Sequence, residues 1–125
     1  MMDDKRIATI LTGSAQGSAD ELYQIGCMFA QGDLSEKGKR TYRKALCFFE
    51  QAGKKGHPKA WYELGYLYES GQAGETSPQK AFECYCKAME LGDEEGTDKV
   101  RICYQEGIGT DIDLVRAEEI KNRYK

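Results

Sequence analysis

The sequence predicts an all-α solenoid: three stacked helix–loop–helix units with a short helical segment in front. Three observations lead to it. Columns of like residues recur 36 positions apart. Residues that open and close helices fall in those columns. Between them, apolar side chains repeat at three- and four-residue spacing, the period of a helix with one buried face.

Residues 1–17 precede the repeats. Asp3 to Leu11 suits a short helix with Asp3 and Asp4 at its positive end, and the stretch Gly13 to Gly17 reads as a turn. From Ser18 the register is set by three comparisons. Ile25-Gly26, Phe29 and Gly32 align with Leu64-Gly65, Tyr68 and Gly71 at a shift of 39, and Val100, Tyr104 and Gly107 follow at a shift of 36. In the second half of each unit, Ala45, Ala81 and Ala117 form one column at spacing 36, and Thr41, Ser77 and Asp113 another. The first unit therefore carries a three-residue insertion between Gly32 and Arg40.

The leading helices are predicted over 19–31, 58–70 and 94–106, and the trailing helices over 42–55, 78–91 and 114–124. Ser18-x-x-Glu21 is a capping box for the first. Pro58 and Pro78 occupy first helical positions, where a missing N–H costs nothing. Thr41, Ser77 and Asp113 are N-cap types. Gly32, Gly71 and Gly107 fall where leading helices end, and Gly56 and Gly92 where trailing helices end. Trp61, Leu64, Gly65 and Tyr68 share one stripe; Ala81, Phe82, Tyr85, Ala88 and Met89 share another. Gly65 costs about 1 kcal/mol of helix propensity against alanine, so the spacing predicts close approach of the trailing helix at Ala81 or Ala88. The units are 18–56, 57–92 and 93–124 of a single domain, since one pair would leave both stripes half exposed.

With 40% hydrophobic and 31% charged residues the chain is globular in composition. A net charge of −3 argues against general nucleic-acid or membrane-surface binding. The acidic start and the short apolar run from Ile7 to Leu11 suit neither a signal peptide nor a membrane span, so the expected location is cytoplasmic. The five cysteines, Cys27, Cys47, Cys84, Cys86 and Cys103, have no zinc-site spacing. They are expected to be reduced apolar fillers, with Cys84 and Cys86 on different helix faces. His57, beside Pro58, reads as a loop or capping residue. The sequence offers no phosphate loop, nucleophile elbow or metalloprotease motif, so no catalytic residue, cofactor or metal ligand is expected.

The motif W-x2-L-G-x2-Y at 61–68 matches the opening of a tetratricopeptide repeat, but the longer period and the delayed alanine differ. Leu64, Gly65, Tyr68 and Gly71, a loop, then Lys80, Ala81, Tyr85, Lys87, Ala88 and Gly92 instead resemble the Sel-1-like repeat family. The resemblance covers 18–124, with Arg101 replacing the helix glycine in the third unit. It implies a right-handed α/α superhelix that binds a protein partner on its concave face as an adaptor or scaffold. It carries no shared catalytic residues.

On the leading helices a second stripe lies off the core: Tyr23, Tyr62 and Asp98; Cys27, Tyr66 and Ile102; Ala30, Glu69 and Gln105. Of these, Tyr23, Cys27, Tyr62, Tyr66, Glu69 and Ile102 are the expected partner-binding residues, with Tyr66 and Ile102 the readier to pack between helices. Residues 37–59 hold Lys37, Lys39, Arg40, Arg43, Lys44, Lys54, Lys55 and Lys59 against Glu50 alone. This basic run, its patch centred on Lys37, Lys39, Arg40, Arg43 and Lys44, is either a solvated face or a steering surface for an acidic partner. The alternatives are an inhibitor or immunity protein that blocks a cognate toxin or enzyme, a thiol-dependent enzyme, and self-association by end-to-end stacking.

Overall fold

The computed structural model describes residues 2–13, 15–34 and 40–123. Among them are seven helices and no strand: α1 (Asp4–Leu11), α2 (Ala19–Gln31), α3 (Tyr42–Lys54), α4 (Pro58–Ser70), α5 (Pro78–Glu90), α6 (Glu94–Glu106) and α7 (Leu114–Arg123). The leading helices match the predicted bounds, and the trailing helices α3 and α5 each end one residue early; the predicted end of the third, at 124, lies outside the described residues. The chain is an all-α helical-repeat solenoid in which α2–α3, α4–α5 and α6–α7 are the three pairs, each pair packing on the next.

Local chemistry sets most helix ends. Asp3 caps α1 by accepting from the Arg6 N–H at 2.8 Å. Ser18 and Glu21 form both bonds of the capping box. Ser77 accepts from the Lys80 N–H and Asp113 from the Arg116 N–H. His57 is itself an N-cap, its Nδ1 accepting from the Ala60 N–H at 3.1 Å. Thr41 departs from its column. At φ −125° and ψ 82° it makes no side-chain cap, and its backbone serves another purpose. The Thr41 N–H donates to the Phe29 carbonyl at 3.0 Å, as Ser77 does to Tyr68 at 2.9 Å and Asp113 to Tyr104 at 2.8 Å. These bonds satisfy a carbonyl near the end of each leading helix and clamp the loop in all three units. Gly32, Gly71 and Gly107 end the leading helices in the left-handed region.

Glycine brings the first two pairs together. A Cβ on Gly26 would lie 2.7 Å from the Phe49 ring, and one on Gly65 would lie 2.7 Å from the Tyr85 ring and 3.2 Å from the Ala81 carbonyl oxygen. The close approach at Ala81 is as expected; the larger neighbour is the ring of Tyr85, which is fully buried. Between units, Trp61 lies on Gly53 and Gly96 on Ala88. Burying a ring of this size contributes roughly 1.5–3 kcal/mol or more.

Helix α1 adds Ile10 to the core beside Leu22. Arg6 donates twice to Glu21, at 2.7 and 2.9 Å, tying α1 to the start of α2. The Arg6 hydrogen bond holds the Glu21 carboxyl down at about 2. Cys84 packs in the core cluster of the first two units, whereas Cys86 lies against the Val100 cluster, so the two thiols do face apart.

Candidate functional site

The leading helices α2, α4 and α6 share one outward face. α4 packs not only on its neighbours in sequence but also on α6, so the leading side is the crowded side of the superhelix. Polar contacts run along it between units. The His57 Nε2 lies 3.6 Å from the Asp20 carboxylate. Lys59 pairs with Asp93 at 3.4 Å and, more closely, with Glu95. Lys99 reaches Glu69 at 3.6 Å.

The six stripe residues fall into two groups. Tyr23, half-buried, stacks on His57 with ring centroids 4.2 Å apart and tilts against Phe49 at 5.8 Å. Tyr62 is tilted against Tyr85 at 5.9 Å and carries the Lys59 ammonium over its ring at 4.7 Å. Glu69 accepts from the Tyr85 hydroxyl at 2.6 Å. These three are committed to packing between helices, the reverse of what the stripe predicts for the tyrosines. Burial pushes the Tyr23 phenol up, and burial with the Glu69 hydrogen bond does the same for Tyr85. Tyr66 is the stripe's free ring, 42% exposed. Its column-mates are half-buried: Ile102 on α6 and Cys27 on α2, whose thiol burial raises.

Glu63 escaped the sequence reading. It follows Tyr62 by one residue and falls on the flank of α4 facing α2. Its charge reaches Tyr23 and Cys27 as well as Lys59. Desolvation raises its carboxyl above the usual range; Lys59 lowers it, while Glu95 and Asp93 raise it further. Burial alone would lower the Lys59 ammonium, but Glu95 and Asp93 outweigh it and raise it. The only sequence signal for Glu63 was its place next to the tyrosine column.

Among the described residues the basic run is divided between two surfaces. Lys37 and Lys39 lie outside the described residues. Arg40 donates to the Tyr42 hydroxyl at 3.2 Å, Lys44 lies over Phe29 at 5.6 Å, and Arg43 reaches the loop at Gly74. These three are on and before the trailing helix α3. Lys54 pairs with Glu50, Lys55 donates to the Gly17 carbonyl, and Lys59 is on the leading face. Residues contiguous in sequence are distributed over opposite sides of a helix pair.

Burial pushes the thiols of Cys84 to about 12 and of Cys86 and Cys103 to about 11, which holds them in the unreactive protonated form. Cys47 is exposed. No helix among the described residues is long and apolar enough to cross a membrane.

A family model described as Sel1 repeat matches residues 22–57, 58–93 and 101–119. The third match is the shortest, over the unit in which Arg101 stands for the helix glycine. Among solved structures, a Sel1 repeat protein from Oxalobacter formigenes superimposes with a TM-score of 0.84 at 25% identity, over 97% of this chain and 49% of that one. A protective antigen present in uropathogenic Escherichia coli strains, displaying an SLR fold, has a TM-score of 0.78 at 26% identity, over 87% of this chain and 23% of that one. Helicobacter pylori cysteine rich protein B shares the fold at a TM-score of 0.69 and 18% identity, over 98% of this chain and 89% of that one. The chain spans about half the length of the first of these and about a quarter of the second.

Proposed function

This chain belongs to the Sel1 repeat family, whose members are generally protein-interaction scaffolds, and on that premise we propose that the leading-helix face of α2, α4 and α6 binds a protein partner. One observation carries the reading. Tyr66 stands 42% exposed on the middle leading helix, between the buried Gly65 and Leu67. A rigid ring with a polar tip, placed centrally on a firm scaffold, is the side chain that interfaces use as an anchor. Cys27 and Ile102 extend the same column onto the flanking helices. The inhibitory form of this reading, in which binding blocks a cognate toxin or enzyme, uses the same face. Binding is the activity proposed here, and no catalytic role is assigned to any residue.

The test is Tyr66→Ala. Because the ring is exposed, the variant should keep its thermal midpoint. The partner is co-purified from the native host on the wild-type chain, and its affinity is measured by calorimetry. A hot-spot loss of about 2 kcal/mol, roughly thirtyfold, is expected. Unchanged affinity for the variant, with the Ile102→Asp variant equally unaffected, would remove the leading face as the binding surface.

A further inference from the structure

Tyr66 lies on leading helices whose charge is of one predominant sign. The leading face carries Asp20, Glu63, Glu69, Glu95 and Asp98, and against these it has Lys59, Lys99 and Arg101. Each of the two ammonium groups is occupied. Lys59 sits between Asp93 and Glu95 and over the Tyr62 ring, and Lys99 faces Glu69 and lies 5.8 Å from the Tyr85 ring centroid. Asp98 is met by Arg101 at 3.8 Å and Asp20 by the His57 ring.

Glu63 is different. Among the described residues no hydrogen bond or ion pair within 4 Å reaches its carboxylate, although it is half-buried. One helical turn separates it from Tyr66, so the two side chains are neighbours on α4. No buried side-chain oxygen among the described residues lacks a partner, so the unpaired Glu63 carboxylate reaches solvent and is open to one. Next to an exposed ring it forms a combination suited to a cation, because the carboxylate supplies the charge and the ring face adds a cation–π contact.

Resting on the reading of this face as a binding surface, we propose that the partner presents a basic segment there, with a lysine or arginine seated between Glu63 and Tyr66. The cations Arg40, Arg43 and Lys44 have their contacts on the trailing side and do not compete for this position. Charge complementarity thus selects a basic occupant for the leading face, whereas the basic run taken alone selected an acidic one.

The experiment uses the intact chain and a displayed library of short random peptides as the probe. The enriched peptides are synthesised with a fluorophore and titrated against wild type, Glu63→Gln, Tyr66→Ala and Arg43→Glu, each checked for an unchanged helical circular dichroism spectrum. The expected result is enrichment of lysine and arginine, with binding weakened about tenfold or more by Glu63→Gln and by added salt. Tyr66→Ala should weaken it similarly, and Arg43→Glu should leave it unchanged. Acidic or neutral peptides that depend on Tyr66 but not on Glu63 would overturn the basic occupant and leave the leading face standing. Peptides indifferent to both variants, or lost on Arg43→Glu, would overturn the face itself. A library without enrichment over the unselected pool would count against both.

Discussion

The second and third helix pairs share a register and a loop clamp, yet they hold their two helices together by different means. In the second pair Tyr85 is fully buried against Gly65, and its hydroxyl donates to Glu69. The same columns in the third pair read Arg101 and Lys121. Two residues that interlock in one unit are two cations in the next. The consequence is visible at the end of the solenoid. Among its described residues helix α7 buries Ala117 alone, where α5 buries Ala81, Cys84, Tyr85 and Ala88. Between α6 and α7 lies an open cavity of about 620 Å³ whose lining includes Arg101, Lys121, Glu94, Asp98 and Ile120. Leu114 and Val115 are left 65% and 69% exposed. Repeat register and repeat packing are therefore separable. The clamp bond and the alanine column persist where the glycine–ring interlock has gone, because the clamp depends on backbone and the interlock on two side chains.

The largest expected contrast is at the ring. Tyr85→Ala should cost about 3–5 kcal/mol in urea denaturation, from lost transfer and the cavity left behind, while Lys121→Ala should fall within about 0.5 kcal/mol of wild type. Equal effects at the two positions would mean that the third pair is packed as tightly as the second. At the glycine column, Gly65→Val should destabilise by about 1–3 kcal/mol, since its side chain meets the Tyr85 ring and the Ala81 carbonyl. Arg101→Val should change the midpoint little.

The caps sharpen the comparison by predicting no difference. Ser77→Ala and Asp113→Ala should each cost about 1 kcal/mol, because both accept from a first-turn N–H. Thr41→Ala should cost measurably less than either, having no cap bond to lose. The smallest effects belong to another pair of column-mates, Glu63 and Lys99, and they should differ in sign. The folded value of Glu63 is raised, so the protonated form favours the fold and stability is lost as pH rises through that value. Glu63→Gln should therefore raise the thermal midpoint at neutral pH and leave it unchanged well below the carboxylate range. Lys99→Gln removes the Glu69 contact and should lower the midpoint slightly, by less than about 1 kcal/mol for a surface pair. A gain in stability at Glu63 together with a loss of peptide binding would identify the residue as one retained for function.

Helix bounds were legible to within a residue because their causes are local. A capping box, a proline at the first turn and a glycine at the last act on groups three or four positions away, and the 36-residue columns located each in turn. The all-α class and the Gly65 close approach follow from the same short-range chemistry. Which side chains of the candidate face stay free is less local. The stripe expects Tyr66 to be readier to pack between helices than Tyr23 and Tyr62, and the packing of these tyrosines is the other way round. Tyr23 is taken up by His57 and Phe49, and Tyr62 by Tyr85 and Lys59, all from other turns or other helices.

By itself, then, the sequence determined the helices, their pairing and their register. The tertiary structure alone decided that Tyr66 is the free ring, that Thr41 spends its backbone on a loop clamp, and that the basic run divides between two sides. It also decided that Glu63, half-buried, meets no hydrogen-bond or ion-pair partner among the described residues. The physical reason is the same in each case. Periodicity fixes the direction in which a side chain leaves its helix, but burial and pairing depend on what the neighbouring units, some 36 residues away in the chain, place in front of it.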